Sequence, residues 1–521
     1  MNKINRSTNT SCHNGFQKSK MFMSTHNKIN FQTPRIFKIV IFLTCAALSA
    51  HAEVKPNALF TDGAVLQQGV GVPIWGSAKD DEKVTVKFQG QTVATTARNG
   101  RWMLRLKPLK AGGPFVMSIM GENAITITNI LVGEVWLCSG QSNMEMPLAA
   151  TTNSAEVINA ARDSELRFFT TAHKASDEPL TDASGTWTET TPGSAKYFSA
   201  VAYFFGRNLR HALNVPIGLI HSSVGGTPAE AWTPNSTLEA DPELKQILER
   251  QAQAIKDFDP AEAESQNETN IAKAKAEGKD VSKVPLIKSP AVGIGRPSGL
   301  YNAMIAPLQP FAIAGVIWYQ GESNNDRAAE YRKLFPALIY SWRKAWKEGR
   351  FPFLFVQIAP HRDMTPEIRE AQFLTWQKVP RTAMAVITDV GEVNNIHPTQ
   401  KEPVGTRLAL AARAIAYGEK IEYSGPIYGS MEVEGDRAII KFTHIGGGLV
   451  VKGARLEGFT IAGEDGKFVD ATAEIDDDNV IVFNPLVAKP VAVRYGWTNA
   501  PDINLFNEQG LPATPFRTDV K

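Results

Sequence analysis

The hydrophobic positions in the middle of the chain form short apolar runs that alternate with stretches of helical spacing. Apolar runs of strand length occupy residues 131–137, 217–221, 315–319, 353–358 and 384–388. Between them, apolar side chains recur every three or four positions, which predicts helices over residues 201–213, 331–346 and 404–417. Alternating strands and helices are typical of a parallel sheet covered on both faces. The pattern therefore predicts an α/β domain over residues 129–418.

The regions on either side of this domain show a different pattern. Residues 53–128 and 419–521 contain short runs of β-branched and aromatic residues, several of them alternating with polar residues, and turns rich in Gly, Asn and Asp separate them. This pattern favours a β-sandwich domain on each side. Within the central region, residues 236–298 interrupt the alternation. Their Ala-, Glu-, Lys- and Gln-rich stretch predicts solvated helices, so we interpret them as an insertion over the edge of the sheet.

The first 52 residues have the pattern of an export leader. Arg35 and Lys38 precede an apolar run over residues 39–48, and Ala50-His51-Ala52 follows as a small-residue cleavage site. The run is shorter than a membrane-spanning helix requires. We expect cleavage near Ala52, a secreted or periplasmic protein, and no stable membrane insertion afterwards. An uncleaved amphipathic anchor is the alternative.

The charge and the cysteines change once the leader is set apart. The whole chain has a formal charge of +2, but residues 1–52 carry seven Lys and Arg and no acid, so residues 53–521 carry −5. This balance argues against a nucleic-acid partner. Cys138 is the one cysteine after residue 52, which excludes an intramolecular disulfide there, and its strand context predicts packing. No Cys/His cluster has metal-ligand spacing, so we predict no metal or organic cofactor.

Polar and glycine-rich segments follow the predicted strands. In open parallel sheets, active sites form at the carboxyl ends of the strands. The first strand is followed by a serine, the second by a glycine loop, the third by amide side chains and the fifth by a histidine, in the segments 140–144, 222–227, 320–324 and 389–398. These groups are the ones that acyl transfer by a serine nucleophile requires.

Ser142 and His397 are the candidate nucleophile and base. A serine hydroxyl needs a base to take its proton, and of the histidines after residue 52 only His397 lies beyond the last predicted strand and just before the closing helix. The oxyanion needs donors, for which the amides of Ser142 and Gly225 or Gly226 and the side chain of Asn324 are candidates. Ordinary turns, and for Asn324 a helix N-cap, are the alternatives.

Four motifs together resemble the sialate O-acetylesterase family of the SGNH-hydrolase superfamily. They are Gly140-Gln141-Ser142-Asn143-Met144, Gly225-Gly226-Thr227 with Glu230-Ala231-Trp232, Trp318 to Asn324, and Ile396-His397-Pro398 with Lys401. The resemblance covers residues 53–521 almost completely, flanking β regions included. It implies a flavodoxin-like α/β/α catalytic domain, an acyl-serine mechanism and removal of acetyl groups from carbohydrates, with 9-O-acetylated sialic acid as the named substrate. It also implies Ser142 as nucleophile, His397 as base, and Gly226 and Asn324 as oxyanion donors.

The chain departs from the family pattern next to the histidine. The family has an Asp shortly before it, whereas this chain has Asn394 and Asn395. A neutral amide orients and stabilises an imidazolium poorly. Three explanations follow: Asp389 or Glu392 reaches the histidine, a Ser–His dyad works with a backbone carbonyl as orienter, or activity is weak or lost.

Three hypotheses for function are therefore open. The first is an esterase that deacetylates sialic acids, with an acetylated carbohydrate as its partner. The second is the same chemistry on acetylated xylan or a related glycan. The third is a carbohydrate-binding protein that has lost catalysis with the missing Asp.

Overall fold

Short strands, most of them antiparallel to their neighbours, form the N-terminal part of the computed structural model, which describes residues 53–519. The strands are β1 (Lys55–Pro56), β2 (Val65–Gln67), β3 (Val72–Ser77), β4 (Lys83–Phe88), β5 (Gln91–Thr96), β6 (Arg101–Leu106), β7 (Gly112–Met120) and β8 (Ala124–Gly140). Side chains of β6 alternate between exposed and buried along the strand, as expected for a sheet with one face in the core. Strands β1, β3 and β6 form one sheet, and β4, β5 and β7 join a second sheet through β8.

Strand β8 connects the N-terminal strands to the centre of the molecule. Its first half pairs with β7 in antiparallel orientation, and its second half pairs with parallel strands. The boundary predicted between residues 128 and 129 falls inside this strand. One hydrophobic core extends from Val54 to Ala412 and so includes side chains from both regions.

The central region alternates strands and helices. Its elements are α1 (Ser142–Glu145), α2 (Ser154–Ala160), β9 (Asp163–Thr170), β10 (Trp187–Thr190), α3 (Pro192–Ala195), α4 (Ala200–Leu213), β11 (Ile217–Ser223), α5 (Asn235–Ala240), α6 (Pro242–Asp257), α7 (Pro260–Ala276), β12 (Gly315–Tyr319), α8 (Ala328–Trp346), β13 (Phe353–Val356), α9 (Pro366–Lys378), β14 (Thr382–Ala385) and α10 (Glu402–Ile415).

The central strands are ordered β10-β9-β11-β8-β12-β13-β14. All neighbours are parallel except β10 and β9. Every residue of β11, β12, β13 and β14 is buried. Because successive side chains of a strand point to opposite faces, this burial means that both faces of the sheet are covered.

The structure corrects the sequence prediction at the last strands. The run predicted over residues 384–388 is a strand only over Thr382–Ala385, and the preceding run ends at Val356 instead of residue 358. Val386 and Ile387 are nevertheless buried, because the chain leaves the sheet and continues through the core. An apolar run in the sequence indicates burial. At the carboxyl end of this strand, the buried residues extend further than the residues paired in the sheet.

Two helices of the segment predicted as an insertion, α6 and α7, lie in residues 236–298. Helix α6 buries Leu244 and Ile247 and packs against α8, while most of α7 is exposed. Both helices begin at an aspartate N-cap followed by proline. This segment therefore contains solvated helices, as its composition predicted.

The C-terminal part is again made of antiparallel strands. They are β15 (Ile427–Glu434), β16 (Arg437–Thr443), β17 (Leu449–Val451), β18 (Phe459–Ala462), β19 (Phe468–Asp470), β20 (Thr472–Asp476), β21 (Asn479–Phe483), β22 (Ala492–Tyr495), β23 (Leu505–Asn507) and β24 (Phe516–Arg517). They form two four-stranded sheets, β15-β16-β21-β20 and β19-β18-β22-β24, and the pair β17-β23. Side chains from both four-stranded sheets share a second hydrophobic core.

The predicted leader lies outside the described residues. Within residues 53–519, no helix has the length and apolar character needed to cross a membrane.

Candidate active site

Ser142 is presented at the point where the central strand β8 ends. Gly140 closes the strand with a φ of 141°, and a Cβ atom at this position would lie 2.1 Å from the carbonyl oxygen of Tyr319 on β12. Only glycine accepts both the positive φ and this close approach. The chain turns here, the amide of Gln141 donates to the same carbonyl at 2.9 Å, and Ser142 becomes the first residue of α1.

His397 lies against Ser142. Its Nε2 is 2.7 Å from the Ser142 Oγ, and in the neutral tautomer that carries its proton on Nδ1 this nitrogen accepts the hydroxyl hydrogen. The histidine belongs to the segment between β14 and α10. Glu392 holds this segment in place by accepting hydrogen bonds from the amide and hydroxyl of Thr399 and from the side chain of Asn395. The Asn395 side chain in turn accepts from the His397 amide at 3.0 Å.

The lowered pKa of His397 would suit a general base. Partial burial lowers this pKa below the ordinary 6.5, and the nearby Lys401 and His361 act in the same direction. The neutral form that accepts the Ser142 proton is therefore present at lower pH than for a solvated histidine.

This shift predicts the acid side of the pH profile. As pH falls through the lowered pKa, His397 gains a proton and can no longer accept one from Ser142. We expect kcat/KM for an acetyl ester to reach half its plateau below pH 6.5. Steady-state rates across pH, with recovery of full activity at neutral pH as the stability control, measure this. A midpoint above 6.5 contradicts it.

Asp389 and Glu392 contact other partners instead of His397. Asp389 accepts two hydrogen bonds from Arg407, at 2.6 and 2.7 Å. Glu392 accepts from Asn395 and Thr399, whose amide is the main cause that lowers its pKa. Within residues 53–519, neither carboxylate hydrogen-bonds to His397, and Nδ1 of His397 has no hydrogen-bond partner. No observed contact therefore supports the prediction that one of them is the orienting acid.

Because Asp389 bonds to Arg407, we predict that it contributes to stability and not to catalysis. A variant of Asp389 can distinguish the two roles. Asp389→Asn leaves the Arg407 guanidinium without its carboxylate and should lower the free energy of unfolding by about 1–3 kcal/mol. The kcat should stay within about threefold of wild type, because Asp389 does not contact His397. Denaturant unfolding and steady-state kinetics measure the two effects. A loss of kcat on the order of 10⁴-fold with unchanged stability would instead show that Asp389 orients the histidine.

The glycine loop after β11 adjoins Ser142. A Cβ atom on Gly225 would lie 3.3 Å from the Cβ of Ser142. The Gly225 amide donates to Glu145 at 2.6 Å, and the other Glu145 oxygen contacts His173 at 3.1 Å. Gly226 is exposed with a φ of 69°, and its amide has no hydrogen-bond partner in residues 53–519. Of the two candidate glycine amides, only that of Gly226 is thus free to bind an oxyanion.

Asn324 is buried in the 3₁₀ segment Glu322–Arg327 that follows β12. Its oxygen accepts from the Ala229 amide and the Gln320 side chain, and its nitrogen donates to Glu230 at 2.9 Å. An amide nitrogen carries two hydrogens, and within residues 53–519 only the one donated to Glu230 has an acceptor. The alternative of a helix N-cap does not hold, since α8 begins after Arg327.

A second Ser–His contact lies inside the core. His221 Nε2 is 2.5 Å from the Oγ of Ser223, and both residues are buried. Burial lowers the pKa of His221 to about 3, so this histidine remains neutral. Ser142 is half-buried and His397 is exposed, so the Ser142–His397 pair is the more accessible of the two.

Sequence reasoning missed a buried cluster behind this pair. Asn143, Glu322 and Lys401 are joined by hydrogen bonds through the Asn143 side chain. The cluster brings together segments that follow two strands and precede α10. Only Lys401 and Glu322 had a signal in the sequence, as charged residues within the motifs.

Comparison with known proteins identifies the family of the chain. The family model for carbohydrate esterases described as sialic acid-specific acetylesterase matches residues 132–264 and 272–414, which include Ser142 and His397. The chain belongs to this family of acetylesterases. The family resemblance predicted from the motifs is thereby confirmed.

Members of the family cover nearly the whole chain. The sialate O-acetylesterase of Mus musculus is 33% identical and aligns with 93% of this chain and 98% of its own, and that of Homo sapiens is 31% identical over 87% and 90%. The crystal structure of a carbohydrate acetylesterase from Xanthomonas citri is 38% identical, covers 90% of this chain and 100% of that one, and has a TM-score of 0.77. The protein is accordingly a carboxylic ester hydrolase with a mixed α/β carbohydrate esterase fold.

Proposed function

We propose that this acetylesterase family member removes O-acetyl groups from carbohydrates through an acetyl-serine intermediate on Ser142. The observation that carries the proposal is the 2.7 Å contact between Ser142 Oγ and His397 Nε2. A serine hydroxyl at that distance from a neutral imidazole is an activated nucleophile.

We assign each step of this chemistry to a group of the site. Ser142 Oγ attacks the acetyl carbonyl while its proton moves to His397 Nε2, and the amides of Ser142 and Gly226 with the free N–H of Asn324 bind the oxyanion. His397 then donates the proton to the departing sugar oxygen. A water then gives a proton to His397 Nε2 as its oxygen attacks the acetyl carbonyl, and His397 returns that proton to Ser142 Oγ as acetate leaves.

We infer an O-acetylated sialic acid, with 9-O-acetyl as the first position to test, as the substrate. The family description and the names of the mouse and human relatives support it. Acetylated xylan is the second candidate, supported by the broader description of the Xanthomonas citri structure as a carbohydrate acetylesterase. Binding without catalysis is the third, and the Ser142–His397 contact disfavours it.

We also propose a flavodoxin-like α/β/α catalytic domain over residues 129–418, flanked by β-sandwich domains over 53–128 and 419–521. The order β11-β8-β12-β13-β14 supports it. Numbered along the chain, these five strands have the order 2-1-3-4-5, which is the order of flavodoxin-like sheets. Secretion or a periplasmic location after cleavage near Ala52 completes the proposal. Amino-terminal sequencing of the exported protein tests the cleavage.

Acetate release tests the function. Wild type and Ser142→Ala are each given 9-O-acetylated sialic acid and acetylated xylan at matched ester concentration. We expect wild type to release acetate faster from the sialic acid and the variant to release none above background. Faster release from xylan would favour the second candidate. No wild-type release from either substrate would overturn the proposed function.

A further inference from the structure

Three polar side chains are buried directly behind Ser142 and His397. Asn143 and Lys401 are each 1% exposed and Glu322 is 8% exposed. Buried charged groups carry a large desolvation cost and are rarely present without a role.

The Asn143 side chain is held from both ends. Its nitrogen donates to Glu322 Oε1 at 2.7 Å and to the carbonyl oxygen of Ile396 at 2.9 Å, and its oxygen accepts from Lys401 Nζ at 2.5 Å. A carbonyl oxygen only accepts, so the contact with Ile396 fixes which way the amide faces. All the hydrogens of this amide are therefore used in one arrangement.

These bonds connect the neighbours of the reacting residues. Asn143 directly follows Ser142, and Ile396 directly precedes His397. The bond from Asn143 to Ile396 thus ties the turn of the nucleophile to the segment of the base. Glu322 opens the 3₁₀ segment that carries Asn324, so the same amide also contacts the segment of an oxyanion donor.

We propose that Lys401, Asn143 and Glu322 are positioning residues that hold His397 against Ser142, in place of a carboxylate hydrogen-bonded to the imidazole. The proposal rests on the proposed function of Ser142 and His397. Lys401 donates to the Asn143 oxygen, and the Asn143 nitrogen donates to the Ile396 carbonyl next to His397. Glu322 accepts the second hydrogen bond of that nitrogen. The cluster orients His397 through a hydrogen bond to the backbone of Ile396, whereas a carboxylate would orient the imidazole through Nδ1.

The charge of Lys401 also reaches the base. Lys401 faces Glu322 and Glu392, and its Nζ lies 5.2 Å above the ring of Tyr319. Burial lowers the pKa of Lys401 to about 7, while the two carboxylates act in the opposite direction. His397 faces Ser142, Lys401 and His361, and Lys401 is among the causes that lower the pKa of His397. A change at Lys401 is therefore detectable at His397.

Lys401→Met, in which an unbranched side chain as long as the lysine up to Cε replaces it without the amine, tests the proposal. We expect kcat for acetyl esters to fall about 10–100-fold with KM within about threefold, because substrate contacts are kept and positioning is lost. The acidic midpoint of the pH profile should move to higher pH, since a positive charge near His397 is gone. Lys283→Met, at a lysine with a side chain 83% exposed, is the matched control and should match wild type.

Glu322 supplies a second, independent pair of variants. Glu322→Gln keeps an acceptor for Asn143, whereas Glu322→Leu removes it. We expect Glu322→Gln to retain several times more kcat than Glu322→Leu, with both folded by circular dichroism. This comparison holds even if Lys401→Met does not fold.

The proposal also has a readout that needs no turnover. The pKa of His397, followed by NMR of isotope-labelled histidine, should rise in Lys401→Met and not in Lys283→Met. An unmoved pKa, an unchanged kcat in Lys401→Met, or equal losses in the two Glu322 variants would overturn the proposal. If wild type released no acetate from any ester, the proposed function would fail, and the His397 titration would still decide whether Lys401 acts on the base.

Discussion

Replacing Ser142 by alanine should lower kcat for acetyl ester hydrolysis by at least about 10⁴-fold, with little change in substrate affinity. The variant removes the one hydroxyl that lies 2.7 Å from His397 Nε2, so no acetyl-serine can form. Acetate release under saturating substrate measures the loss, and a binding titration shows whether affinity is kept.

His397→Ala is the matched test of the same unit. When two residues act in one proton transfer, removing either one removes the contribution of both to the rate. The double variant should therefore be no slower than Ser142→Ala alone. Losses that multiplied in the double variant would show that the two side chains act independently, against the geometry of the site.

Gly140→Ala should destabilise the fold by more than about 4 kcal/mol or prevent folding altogether. A Cβ atom there would lie 2.1 Å from the Tyr319 carbonyl oxygen, and the φ of 141° is unfavourable for alanine. The clash falls where β8 pairs with β12, so the strands must separate for it to be relieved. Chemical unfolding and expression in soluble form measure the effect.

Gly100→Ala is the control for this second prediction. Gly100 also has a positive φ, 71°, but no atom lies within 4 Å of its added Cβ. It should lose only about 1–2 kcal/mol, the cost of the left-handed backbone alone. Similar losses for the two glycines would show that the close approach to Tyr319 does not matter.

The sequence was most informative where burial and strand ends coincide. Strand β12 has the bounds predicted for it and β11 runs two residues longer, because strands covered on both faces are continuous apolar runs. The rule that carboxyl ends of parallel strands meet at one edge then brought Ser142 and His397 together from positions 255 residues apart.

The sequence analysis did not predict the elements whose polar and apolar residues show no regular spacing. Strand β9 starts with polar residues, and helix α9 buries Arg369, Glu370 and Gln372 beside its apolar side chains, so neither shows a clear period. The side chain of Arg369 donates to the backbone of Thr498 and Asn499. Burial achieved by such polar contacts leaves no hydrophobic pattern to detect.

Within the site, the sequence named residues but not their partners. Asp389 bonds to Arg407, and Gly225 bonds to Glu145. Both contacts depend on the direction of side chains at the ends of different elements. The bonds of Asn143 join it to residues 179 and 258 positions away. No local pattern encodes such distances.

The most direct test of the account is to find the acetyl group on the enzyme. Wild type is mixed with an isotope-labelled acetyl ester, quenched in acid within the first turnover and digested for mass spectrometry. We predict a labelled acetyl group on the peptide that contains Ser142, formed faster than acetate is released and absent from Ser142→Ala. Labelled acetate released at the full wild-type rate with no acetyl group on Ser142 at any time would contradict the acyl-enzyme mechanism.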